Sequence, residues 1–331
     1  MSTVAIQRAL RGLVRVDLEM EVLTGLLIRM PVHAQVYRIG GADLYPIVTR
    51  RKYALDGQEV EIEVPMVPGS SLKGRMRGLL ELALGKPFYS TDGRIWLHAR
   101  VFGKGYVMNL SEIENDIVGR CEIDEVFGAP ALGIDQLIEY YAGQYAAQRG
   151  EDRPTDEDRD RARQEVRAKI VPHLAFTRLL VNDMYPTVEY VKTLSENGRR
   201  LVSVADFLEE KGENRIDRVT SAADPRQVVR VRPGVVFGGA LRLLLFNIDK
   251  GFVGRNLELV ARGLKLIEET YLGASGSRGY GRVKFRRLKV AAAKASEPTL
   301  KYEVVGEFGS VDELLAKVLE VAGKVEQQVF Q

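Results

Sequence analysis

One cysteine, Cys121, among 331 residues excludes an intrachain disulfide, and with three histidines it leaves little material for a structural zinc site. No uninterrupted apolar run is long enough to cross a bilayer, and the start MSTVAIQRALRG lacks the hydrophobic centre and cleavage site of a secretory signal. A cytoplasmic protein with no membrane partner is expected. Excess charge is missing as well: 48 basic against 45 acidic residues leave a net charge of +3, which permits nucleic acid as a partner without demanding it. What the chain does have is 45% hydrophobic residues, enough for a sizeable core and too many for disorder.

Several catalytic signatures are absent too. The Gly-x4-Gly-Lys-Ser/Thr spacing of a Walker A loop does not occur, and the glycines near residue 276 follow a helix and precede a strand, the reverse of a dinucleotide-binding fingerprint. There is no nucleophile elbow, so a hydrolase triad has no support. His33, His98 and His173 show no metal-ligand spacing, and Trp96 reads as core or insertion packing.

Residues 13 to 24, LVRVDLEMEVLT, alternate apolar and charged positions, the mark of a strand with one wet face. In MVPGSSLKGRMRGLLELALG, Ser70 or Ser71 can cap a helix whose apolar face is Leu72, Met76, Leu79, Leu80 and Ala83, with Gly85 as its stop. A second helix is expected where Leu257, Val260, Leu264, Ile267 and Tyr271 recur every three or four residues. Strands are expected at HLAFTRLLV, VVFGGALRLLLFNI and RVKFRRLKV. The order strand, helix, strand, strand, helix, strand is that of an α+β, ferredoxin-like core, the arrangement RNA-recognition domains use. That core is assigned to residues 1–85, 173–181 and 229–295. Large insertions interrupt it: a helical or lid segment at 86–172, whose balanced charge run suits a solvated helix, and a protruding, thumb-like segment at 182–228. Residues 296–331 form a C-terminal helical extension opened by a Ser310/Glu313 capping box.

The first helix begins with three cations, Lys73, Arg75 and Arg77, where its dipole disfavours positive charge. Exposed N–H groups, the hydroxyls of Ser70 and Ser71 and those cations would suit phosphate, while Gly74 and Gly78 strip one stripe of side chains and admit another backbone. The alternative is a solvated basic face with glycines for packing. In YLGASGSRGYGRVKF, the glycines, Gly276 and Gly279 among them, can expose amides to an anion, and beside Ser277 the side chains of Arg278 and Tyr280 can pair with phosphate and stack on a base. In YRIGGADLYPIVTRR, Asp43 follows two glycines and precedes Arg50, Arg51 and Lys52, so it could ligate a divalent metal or take a proton from a ribose 2′-hydroxyl.

VPGSSLKGRMRGLLE, GASGSRGYGRVKF and IGGADLYPIV together closely resemble the backbone subunit of the Csm complex, the type III-A CRISPR–Cas effector of antiviral defence, within the RAMP superfamily. ENRIDRVTSAADPRQVVRVRPG resembles the family's thumb. The resemblance covers about half the chain. It implies a modified RNA-recognition fold, copies stacked as a filament along a CRISPR RNA with other Csm subunits, and thumbs inserted into the guide–target duplex. It also implies endoribonuclease cleavage of complementary target RNA at regular intervals with a divalent metal, Mg2+ or Mn2+. The position matching the family's catalytic aspartate, and the metal's ligand, is Asp43. Guide phosphates would be held by Ser70, Ser71, Lys73, Arg75, Arg77 and the loop Gly276, Ser277, Arg278, Gly279, Tyr280, and the thumb would use Arg215, Arg218 and Arg226. One departure stands out: Leu27 occupies the place of the family's RNA-contacting His, with Arg29 or His33 as candidate replacements. A non-catalytic RNA-binding scaffold and a CRISPR-RNA processing ribonuclease are the competing readings.

Overall fold

The computed structural model of the chain describes residues 8–31, 44–55, 57–100, 110–129, 133–171, 174, 176–196, 201–296 and 299–331. In chain order the first elements are β1 (Leu10–Val22), the hairpin β2 (Val48–Leu55) and β3 (Gln58–Pro65), and α1 (Gly69–Ala83). Four helices follow: α2 (Leu110–Val118), α3 (Glu122–Phe127), α4 (Ile134–Gln148) and α5 (Asp156–Lys169). Next come β4 (Leu179–Val181), β5 (Tyr185–Pro186), α6 (Val188–Glu196), the hairpin β6 (Leu208–Ile216) and β7 (Ala223–Val231), and β8 (Val236–Phe246). The chain continues with α7 (Val253–Glu269), β9 (Val283–Lys294), β10 (Glu303–Ser310), α8 (Val311–Ala316) and α9 (Val318–Phe330).

Alternation dictates β1: Val14, Val16, Leu18, Met20 and Val22 are all buried, and the charged residues between them face the other side. β1 lies between β8 and β9, antiparallel to both, and β4 pairs with the far edge of β8. Counting the four core strands in chain order, the sheet reads 4-1-3-2, the ferredoxin-like arrangement. Leu72, Met76 and Leu80 of α1 share one core with Val260, Leu264 and Ile267 of α7, so both helices bury their apolar faces together. Among the described residues no helix is long and apolar enough to cross a membrane.

Four local expectations change. Of the strand expected over 173–181, the described residues form β4 at Leu179–Val181; Arg178 just before it is fully buried and bonds Asp249 through Nε at 3.3 Å and Nη2 at 2.9 Å. The C-terminal extension is not all helix, since β10 first joins the sheet beside β9; Gly306 and Gly309 obscure its alternation. Ser310 does cap the following helix, accepting from Glu313 N–H at 3.3 Å, but Glu313 reaches back to the N–H of Gly309. Arg50 and Lys52 are no free basic cluster, because they stand opposite Glu63 and Glu61 in the β2–β3 register.

Residues 110–171 carry helices α2 to α5 with a small core of their own, including Ile113, Ile117, Leu137, Tyr141 and Val166. The charge run is the helix α5, opened by a capping box between Thr155 and Asp158. Asp249, in the turn after β8, fastens this part to the sheet by pairing with Arg120 at 2.9 Å, while Arg120 also pairs with Glu125 within the segment at 2.7 Å.

Candidate functional site

α1 starts where β4 ends. A Cβ at Gly69 would stand 2.3 Å from the Val181 carbonyl oxygen, so only glycine lets the two chains cross. The Gly69 N–H donates to Asp183 Oδ1 at 2.7 Å, which supplies negative charge at this cation-crowded helix start. Ser70 and Ser71 make no cap bond; the helix begins at Gly69, with Pro68 in the cap position, and leaves Ser70 exposed.

The cations are partly spoken for. Lys73 Nζ donates to the Leu179 carbonyl at 2.8 Å, and burial, with Arg77 nearby, holds its pKa below the ordinary lysine value. Arg75 Nε donates to the Tyr271 carbonyl at 3.0 Å, and its guanidinium stacks 4.0 Å from that ring's centroid. Arg77 contradicts the phosphate expectation: it bonds Glu81 at 2.6 Å and Asp124 at 2.9 Å and also reaches the carbonyls of His98 and Gly128. Four acceptors occupy four of its five N–H donors.

Gly74 and Gly78 were expected to seat a neighbouring backbone. Among the described residues nothing lies within 4 Å of either Cβ position. An open groove of about 550 Å3 lies over them, lined also by Arg77, Glu81, Trp96, Leu97, Phe127 and Thr177. Trp96 is 47% exposed there, which corrects its reading as a packing residue. Its position comes from the insertion, and no periodicity in the sequence announces it.

The glycine-rich loop leaves α7 and enters β9 by a tight return. Gly281 has φ +74°, and a Cβ on it would stand 2.0 Å from the Leu272 carbonyl oxygen. Most of its amides are used internally: those of Ala274, Arg278 and Gly281 bond Leu27, Ser275 and Gly25. Those of Gly276 and Ser277 have no partner among the described residues, and Arg278 is exposed. Tyr280 is a correction. It is 1% exposed, its hydroxyl donates to Glu213 Oε1 at 2.6 Å, and Lys211 and Arg230 each stand 4.5 Å from its ring centroid. A ring so covered has no face for a base; burial and Glu213 push its pKa up to about 12.

That tyrosine ties the loop to the thumb-like segment, which is the hairpin β6–β7. At its tip Asp217 accepts from the N–H groups of Val219 at 2.9 Å and Thr220 at 2.7 Å, so Val219 projects and is 91% exposed. Arg218 and Arg226 are exposed beside it, and Arg215 pairs with Asp224 at 2.8 Å on the surface. Leu27 is buried with Val228 and Tyr280, so this position faces the interior, while Arg29 is exposed. Three stretches distant in sequence, the start of α1, residues 271–281 and the hairpin, are thus stitched together through Arg75 and Tyr280. Asp43 and His33 lie outside the described residues.

Among the described residues, His98, Asp116, Cys121 and Asp124 gather donor atoms within 4.8 Å of one another. His98 Nε2 stands 3.3 Å from Cys121 Sγ and 3.7 Å from Asp116 Oδ1. Arg100 is already against Asp116 at 2.9 Å and Asp124 at 3.5 Å, while Asp124 Oδ2 has no hydrogen-bond partner. Burial raises Asp124 to about 6; Asp116, despite burial, is held near 2 by His98 and Arg100. A thiol and an imidazole are poor company for Mg2+, which wants oxygen ligands, so this cluster does not fit the metal expected for cleavage.

The RAMP superfamily profile matches residues 38–284. A Methanothermobacter thermautotrophicus protein, CRISPR system Cms endoribonuclease Csm3, is 31% identical over 274 residues, covering 81% of this chain and 84% of the relative. A Streptococcus thermophilus protein of the same name is 27% identical over 259 residues, 76% of this chain and 82% of the relative. The crystal structure of Methanopyrus kandleri Csm3 superposes with a TM-score of 0.53 over 95% of this chain and 98% of that one, at 23% identity, a likeness of fold. Sheet order, motif placement and these matches agree: the chain belongs to the Csm3 family of the RAMP superfamily.

Proposed function

We propose that this chain is the CRISPR RNA-binding backbone subunit of a type III-A interference complex and that it cleaves complementary target RNA at regular intervals. Copies stack along the guide beside other Csm subunits. The relatives' shared name as endoribonucleases supports the nuclease reading. The observation in the molecule that carries it is the groove over Gly74 and Gly78, two positions of α1 without side chains beside the ion-paired Arg77 and Glu81. A ribose-phosphate strand can lie closer there than any side chain would allow, with Trp96 offering a face to a base.

Each part of the chain has a task in this reading. Ser70, Ser71, Lys73, Arg75 and the Gly276–Arg278 turn hold guide phosphates, and Arg29 replaces the missing histidine. Val219, carried on the hairpin between Arg215, Arg218 and Arg226, wedges bases apart. Asp43 takes the 2′-hydroxyl proton of the target nucleotide or ligates a metal. In-line attack of that 2′-oxygen on phosphorus expels the 5′-oxygen, and the protein's contribution is mostly alignment. A divalent ion, Mg2+ or Mn2+, would supply charge stabilisation when bound. The test is Asp43→Ala in the assembled complex. Lost cleavage with retained target binding is expected; unchanged cleavage rejects the assignment.

A further inference from the structure

The glycine-rich loop and the hairpin gather at the end of the sheet where Val22 pairs with Val283. At the opposite end, where Leu10 pairs with Phe246 and Gly12 with Lys294, lies a separate cavity of about 280 Å3. Three cations line it: Arg11 from β1, Lys250 from the turn after β8 and Lys294 from the end of β9. None of the three side chains has a hydrogen-bond or ion-pair partner among the described residues, and no described Asp or Glu lines the cavity. Glu326 of α9 is occupied elsewhere, accepting the Gly251 N–H at 2.9 Å. The rest of the lining is mixed: Leu10, Val329 and the half-buried Phe330 beside the polar Asn247, Ser296 and Gln331.

The C-terminal end of α9, where Gln331 also lines the cavity, carries roughly half a negative charge and offsets only part of three cations. Like charges converging on one hollow repel unless an anion joins them, and their summed field concentrates anions there. A bare inorganic anion would meet the cations but not the ring of Phe330, which packs against the main core and also lines the cavity. A strand of nucleic acid would run past a pocket at the small end of the ligand range, which begins near ~300 Å3. We propose that this cavity binds a single nucleoside phosphate, its phosphate among Arg11, Lys250 and Lys294 and its base against Phe330. The same chemistry is offered by a free nucleotide and by the phosphorylated end of an RNA strand.

Calorimetry on the purified full-length chain separates these. AMP should bind, with adenosine and inorganic phosphate each at least about tenfold weaker. Lys250→Ala and Lys294→Ala should each weaken AMP by about tenfold, the scale of one charge-assisted hydrogen bond, without changing binding of a 5′-hydroxyl RNA. Phe330→Ala should weaken AMP and leave phosphate unmoved. A 5′-phosphorylated oligonucleotide that gains affinity over its 5′-hydroxyl twin, and loses the gain in the lysine variants, identifies the strand end; no gain identifies the free nucleotide. No AMP binding at ~1 mM, or phosphate binding as tightly as AMP, or AMP affinity untouched by all three substitutions, overturns the proposal.

Discussion

Replacing Gly74 and Gly78 together by alanine should make the protein more stable and worse at its work. Both glycines sit inside α1 with no described residue within 4 Å of either Cβ position and neither has a positive φ, so alanine meets no clash with them. Each glycine costs a helix interior about 0.8 to 1 kcal/mol relative to alanine, chiefly through the freedom of the unfolded chain. The pair should therefore add about 1.5 to 2 kcal/mol, a rise in melting temperature of about 3 °C for a chain this long. Two methyl groups now stand on the groove floor and lift any strand that rests there, so RNA affinity should fall by about tenfold or more, ~1.4 kcal/mol. Scanning calorimetry reads the first effect and filter binding of single-stranded RNA the second. A double variant that is stabilised but binds RNA as before refutes the groove as the RNA seat. A destabilised one refutes the claim of open space.

Tyr280→Phe removes the hydroxyl that bonds Glu213 at 2.6 Å and keeps the ring, so the hairpin should loosen by about 1 to 2 kcal/mol, read as faster amide exchange in β6 and β7. Lys73→Ala should weaken all single-stranded RNAs alike and flatten the salt dependence of log K by about 0.7; an unchanged slope means that its ammonium serves only the Leu179 carbonyl. Burial would lower His98, yet contacts with Asp116 and Cys121 carry it up to about 10 from an ordinary 6.5. The raised value favours the folded state fully below pH 6.5 and is lost as pH climbs through 10, so melting temperature should decline across that window, and less steeply in His98→Gln. Trp96→Ala should reduce RNA affinity by about 1 to 3 kcal/mol, the worth of one stacked base, with little change in melting temperature.

The sequence by itself determined the elements whose cause is local. Period-two alternation made β1, recurring leucines made α1 and α7, and the order of these pieces allowed a ferredoxin-like sheet. Motifs at 70–77 and 273–285 pointed to the family because their glycines and cations are consecutive in the chain. Which cations remain free to meet a ligand was another matter. Arg77 lost its place to carbonyls and carboxylates contributed from residues 81 to 128, and Tyr280 vanished beneath a hairpin some seventy residues upstream. The exposed Trp96, the projecting Val219 and the basic cavity at the far end of the sheet arose from segments that meet only after folding. Periodicity reports which side of an element turns inward; whether a polar group is spent or available depends on partners brought from elsewhere, and only the tertiary structure decides that.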